Sequence, residues 1–142
     1  MIRALSFDLD DTLWPITPTI LHAERRLQDW LQAHVPDIAP HWPSERLRAH
    51  RDAVALRHPD LAHDYGAQRR LSLLEVFAGQ SERERLVDDA FATFYAARNE
   101  VVLYHDAADC LTRVSSRFRL ASLSNGNADL ERIGLAHHFE HR

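Results

Sequence analysis

Two short apolar runs set the frame for this chain. IRALSF at residues 2–7 and FRLASLS at 118–124 each have the length and composition of a buried strand. Each gives way at once to polar residues: DLDDT follows the first, and NGN, a tight-turn sequence, follows the second. The pattern between them is helical. After the loop 8–16, punctuated by Pro15, Ile20, Ala23, Leu27, Trp30 and Leu31 recur at helical spacing, with Thr17 as the expected N-cap and Pro18 at the first position. Pro36, Pro40 and Pro43 interrupt that helix, and Ser44 is the expected cap of a second, weaker one running to about Arg57. A third helix is expected from about Asp64 to Ala78, stopped by Gly79, and a fourth from the capping box Ser81–Glu84 through Phe94 and Tyr95. A further helix starts at Asp106, with Ala107, Cys110, Leu111 and Val114 on one face, and a short one occupies 128–135. The predicted fold class is therefore α/β: an incomplete Rossmann-like core (1–16 and 100–142) with a helical-bundle cap inserted after the first strand (17–99).

Composition narrows the function. The 142 residues carry a net charge of −4 without a basic block, which argues against binding nucleic acid or anionic membrane through bulk charge. One cysteine, Cys110, allows no internal disulfide and fits a reducing compartment. No apolar stretch approaches the ~20 residues of a membrane span, and Asp8 interrupts the N-terminal apolar run too early for a signal peptide. A cytoplasmic protein is expected. His137, His138 and His141 cluster in sequence, but not at a recognised zinc spacing.

The chemistry lies where the strands end. Side chains two apart in extended chain project to the same side, so Asp8 and Asp10 are expected to face one site at the carboxyl end of the first strand, where open α/β sheets bind ligands. Close carboxylates repel each other, and a divalent cation relieves that repulsion. Mg²⁺ suits oxygen ligands and substrate phosphate. One carboxylate could then attack phosphorus to give an aspartyl-phosphate while the other moves protons. A bare D-x-D is more often a solvated turn. Ser124 strengthens the case, because it ends the second strand as Asp8 ends the first and is followed by a turn whose backbone amides suit a phosphate.

With these residues in place, the sequence resembles the haloacid dehalogenase-like superfamily, in particular its capped phosphatases. FDLDDTLW is similar to the family's D-x-D-x-T motif, with Thr12 included, and LSNGN to its second motif. The resemblance implies that Asp8 is the nucleophile and a Mg²⁺ ligand. It makes Asp10 the general acid/base, also ligating Mg²⁺ through its backbone carbonyl. Ser124, with backbone amides and Asn125, would bind the phosphoryl group. The family's dehalogenases lack the second Asp, since a halide needs no proton, so Asp10 points to phosphate esters of a small metabolite. HDYGAQRRLSLLEVF and LSNGNADLERIGLAHHFEH further resemble a bacterial branch acting on flavin mononucleotide and phosphorylated riboflavin precursors. Arg69 and Arg70 would there either help hold an anionic substrate or serve as ordinary helix residues.

Two of the family's motifs, a Lys or Arg and a later acidic pair, find no match. The chain contains no lysine, and neither Arg132 nor Arg142 after Ser124, nor Asp129, Glu131 or Glu140, is placed to supply them. A two-stranded sheet would also leave an apolar edge open to self-association. The expectation is an Mg²⁺-dependent phosphatase with impaired activity in this short chain; the alternative is a non-catalytic binding or regulatory remnant of the same fold.

Overall fold

The computed structural model describes residues 1–141. The chain divides into two compact units, Met1–Ile20 with Arg98–Arg142, and Leu21–Ala97.

In the first unit, β1 (Ala4–Phe7) and β2 (Arg119–Ser122) pair in parallel, Ala4 opposite Arg119 and Phe7 opposite Ser122. Both runs are shorter than the apolar stretches containing them. Met1, Ile2 and Arg3 stay exposed, and beyond Ser122 the Leu123 amide makes one last bond to the Phe7 carbonyl at 2.8 Å. Parallel pairing in this register puts Asp8 and the segment from Leu123 at the same end of the sheet. β2 is also bonded on its other edge, where the Ser122 amide reaches the His141 carbonyl and the Glu140 amide reaches that of Leu120, both at 2.9 Å. Among the described residues β1 has β2 as its one ladder partner.

Apolar side chains explain why these pieces hold together. β2 buries Leu120, and α5 (Ala107–Ser115) buries Ala107 and Leu111 and packs Val114 against the same cluster. Cys110, expected inside, is only half-buried. α6 (Leu130–Ile133) is one turn long, held at its start by Asp129, whose Oδ1 accepts from the amides of Glu131 and Arg132, and closed by Gly134 at φ +84°. Leu135, Ala136 and Phe139 complete the cluster, the last edge-on to Phe7 at 6.4 Å between centroids.

The second unit is helical. α1 (Ile16–His34) starts earlier than the Thr17 cap would allow, because the Asp11 carboxylate accepts the Ile16 amide at 2.9 Å and so caps the helix from outside its first turn. α2 (Ser44–Arg57) has Pro43, not Ser44, at its N-cap and buries little beyond Leu47 and Val54, in keeping with its weak pattern. α3 (Tyr65–Val76) is capped by Asp64, which accepts the Ala67 amide at 2.8 Å; Gly79 beyond it has φ +87°. α4 (Arg83–Arg98) runs past the expected Tyr95 by three residues. Leu27, Leu31, Val54, Leu73 and Phe77 are the largest fully buried apolar side chains of this unit, and ion pairs such as Arg57–Glu75 and Arg70–Asp88 link helices at its surface. Among the described residues, no helix is long and apolar enough to cross a membrane.

Candidate active site

The loop after β1 is wound tightly enough to fix its side chains. The amides of Thr12 and Leu13 both bond to the Leu9 carbonyl, at 3.1 and 2.8 Å, and the Asp11 amide bonds to the Trp14 carbonyl at 2.7 Å. Asp11 takes φ +58°, a left-handed conformation that Asp tolerates better than most residues. Asp11 is thus a turn and helix-cap residue, as its position beside Thr12 suggests. Leu9, Leu13 and Trp14 turn inward and are buried, while Asp11 and Thr12 between them are exposed.

The two acids that share a side in the sequence have different surroundings. Asp8 is exposed, and its carboxylate enters no hydrogen bond or ion pair among the described residues. Asp10 is held. Its Oδ1 accepts the Trp14 indole N–H at 2.8 Å, and Arg98 Nη2 lies 2.7 Å from both Oδ1 and Oδ2. Trp14 is fully buried and Arg98 is 1% exposed, so the carboxylate sits against two fixed donors and not in a mobile solvent shell.

Ser124 is half-buried, and its Oγ accepts the Gly126 amide at 3.1 Å. Among the described residues its hydroxyl proton has no acceptor, so it is free to donate to an anion. Asn125 is exposed. Gly126 ties the two strand ends together. A Cβ at this position would stand 2.5 Å from Asp10 Oδ2, 3.4 Å from Ser124 Oγ and 3.6 Å from Arg98 Nη2. The structure therefore brings Asp10, Arg98 and Ser124 around one glycine, and only a residue without a side chain fits without displacing them.

Arg98 escaped the sequence reading. It lies on the buried face of α4, four residues after Phe94 and eleven after Val87, where an apolar residue is the ordinary occupant. A cation at a core position of an otherwise apolar stripe was the available signal. Its neighbour Asn99, also buried, accepts the Asp129 amide at 2.8 Å through Oδ1 and so anchors the loop that follows Ser124. Arg98 Nε and Nη1 are buried without hydrogen-bond partners, an arrangement that costs about 1–3 kcal/mol per unpaired group.

The other candidates are occupied elsewhere. Arg132 lies beside Asp129 at 3.4 Å and Glu140 pairs with Arg119; Arg142 lies outside the described residues. In the second unit, Arg70 pairs with Asp88 and lies over the Phe91 ring, while Arg69 is 4% exposed with its guanidinium 3.9 Å above the centroid of Phe94. Burial, reinforced by the nearby Arg51 charge, lowers the Arg69 pKa to about 10.

For a divalent cation, the site offers hard oxygen donors of the kind Mg²⁺ takes. Asp8 has its carboxylate free, whereas that of Asp10 is engaged by Trp14 and Arg98. No three His, Cys, Asp or Glu side chains converge on one point among the described residues.

Comparison with known proteins bears on the family of the chain. The family model of the haloacid dehalogenase-like hydrolases matches residues 2–142. The Escherichia coli K12 protein YigB, a 5-amino-6-(5-phospho-D-ribitylamino)uracil phosphatase, is 32% identical over 98% of this chain and 60% of its own length. A 2-haloacid dehalogenase from Pseudomonas syringae pv. Tomato DC3000 has a TM-score of 0.89 at 36% identity, covering 99% of this chain and 63% of that one. The magnesium-bound HAD-hydrolase YfnB of Bacillus subtilis shares the fold at a TM-score of 0.56 and 19% identity, over 99% of this chain and 62% of its own. The chain thus spans about three-fifths of the length of these relatives.

Proposed function

The chain belongs to the haloacid dehalogenase-like hydrolase family, and from that premise we propose that it carries the nucleophile and the proton-transfer group of a phosphate-monoester hydrolase. The observation that carries the proposal is the fixed carboxylate of Asp10, two residues beyond Asp8. Asp8 is the nucleophile: exposed and unpaired, it attacks phosphorus, forming an aspartyl-phosphate as the P–O bond to the leaving group breaks. Asp10 gives its proton to the departing alkoxide, then takes one from the water that hydrolyses the intermediate. Ser124 donates its O–H to a phosphoryl oxygen, beside the backbone amides of the following turn and Asn125. The Asp8 carboxylate and the Asp10 main-chain carbonyl would hold Mg²⁺, which would supply charge that neutralises the phosphoryl group.

The substrate class is a small phosphorylated metabolite, and the phosphorylated ribitylamino-uracil named for the E. coli relative is the first compound to try. In this reading residues 1–16 and 100–142 form the catalytic core and 17–99 the cap. A 2-haloacid substrate is the second reading, favoured by the Pseudomonas neighbour. It leaves Asp10 without work, because halide departs unprotonated. The decisive assay supplies the protein with Mg²⁺ and either a panel of phosphate monoesters or 2-haloacids, and measures phosphate and halide release. Phosphate release is expected from the protein carrying this chain, and weak or no release from these 142 residues alone; halide release alone would replace this reading with the second, and no release of either by the protein carrying the chain would favour a non-catalytic module.

A further inference from the structure

We propose that Arg98 is a positioning residue for the proposed phosphatase reaction: together with Trp14 it orients the Asp10 carboxylate for proton transfer to the leaving group. The inference rests on the phosphatase reading for its chemistry, but its geometry stands apart from it. Arg98 is buried at the end of α4 and reaches both oxygens of Asp10 with a single nitrogen, while Nε and Nη1 go unpaired. A guanidinium placed for stability would use its fork in a two-nitrogen pairing with the carboxylate. Here one nitrogen touches both oxygens and the indole N–H takes one of them as well, which fixes the carboxylate's rotation about its own bond. Gly126 closes the remaining side, since a Cβ there would meet Oδ2 at 2.5 Å. Arg98 is buried behind Asp10, so it acts through that carboxylate without touching substrate.

A residue acting this way has a signature that a structural residue lacks. Proton donation matters for a poor leaving group and little for a good one. In the protein carrying this chain, Arg98→Gln is therefore expected to lower kcat on an alkyl phosphate by on the order of 10²-fold, the scale of a misplaced catalytic group. KM should stay within about twofold, and kcat on a nitroaryl phosphate should fall by less than about tenfold. In an Asp10→Asn background the same change should have no further effect on kcat. Gly126→Ala, which pushes on Asp10 while leaving Arg98 intact, should reproduce the leaving-group dependence and covers the case in which Arg98→Gln does not fold. Equal losses on both phosphates, or a full multiplicative loss in the Asp10→Asn background, would overturn the proposal. Should the unaltered protein turn over neither phosphate, the phosphatase reading fails, and Arg98 is judged by urea unfolding. Midpoint shifts of Arg98→Gln and Asp10→Asn that fall short of their sum in the double variant support the contact as the one that holds Asp10. Shifts that simply add overturn it.

Discussion

Each of the two units buries an arginine, and the two side chains are spent differently. In the first unit Arg98 meets a carboxylate, leaves two N–H groups unpaired, and stands 2.7 Å from both oxygens of Asp10. In the second unit Arg69 sits over the Phe94 ring, and the cost of burying its charge shows as a pKa lowered to about 10. A guanidinium on an aromatic face gains dispersion and cation–π attraction, and its stem fills space as a Met would. One arginine is therefore packing, the other aim. The contrast teaches where to look for function in a fold of this kind: at the buried charge whose partner is a partly buried acid of a loop at the end of a strand.

The largest effect that tests the contrast is on the group Arg98 does not touch. Asp8→Asn keeps the size of an exposed side chain without bonds among the described residues, so thermal stability should change by less than about 0.5 kcal/mol. Removal of a nucleophile nonetheless should cost on the order of 10⁴–10⁶-fold in kcat. Retained turnover with a phosphate ester would break the assignment of Asp8 and with it the reason for holding Asp10 in place.

Next comes the stability of the two arginines, each replaced by Met to keep length and remove charge. Arg98→Met strips a partly buried carboxylate of its cation. Breaking a buried pair costs about 3–5 kcal/mol, and Asp10, with its side chain 19% exposed, places the loss at or below the lower end. A fall in Tm of up to about 10 °C is expected for a chain of this size. Arg69→Met removes a charge that burial disfavours and keeps the contact with Phe94, so Tm should hold or rise by up to roughly 4 °C. The sign also follows from linkage. With its pKa lowered to about 10 in the folded state, below the ordinary guanidinium value, Arg69 favours unfolding at neutral pH, and stability is regained only as pH rises through about 10 toward that ordinary value. A differential-scanning comparison in which both variants lose stability equally would erase the distinction between packing and aim.

That distinction also marks how far the sequence could be read. Asp8, Asp10 and Ser124 were legible because short strands advertise their own ends, and parallel pairing of two such strands leaves their polar termini at one edge of the sheet. The helices were legible from their apolar spacing, and their ends less so: Asp11 caps α1 from a left-handed turn five residues upstream, a partner that local cap rules do not anticipate. Arg98 was hidden because its partner is 88 residues away, and nothing local says which of seventeen basic residues meets an acid in the core. Gly126 was read as a turn residue, although its lack of a side chain is also what lets Asp10 and Ser124 approach. Long-range juxtaposition of this kind is a property of packing, and period and propensity carry no record of it.

The smallest effect concerns a histidine of the first unit, and it sharpens what a half-buried titratable group does beside a neutral hydroxyl. His138 has a pKa lowered below 6.5, chiefly by burial and secondarily by the neighbouring His137, whose ring centre is 4.0 Å away. Its near hydrogen-bonding neighbour, Ser115 Oγ at 3.4 Å from Nδ1, is neutral. Because the folded state binds the proton less readily than the unfolded chain, the neutral ring's contribution is intact above pH 6.5 and is lost as pH falls through 6.5 toward the folded-state value. His138→Gln should flatten the decline of Tm over that acid window while leaving Tm near pH 8 within about 2 °C, a range typical of substitutions outside a packed core. An unchanged slope of Tm against pH in the variant would show that the acid sensitivity of this unit arises from its carboxylates and not from the His138 ring.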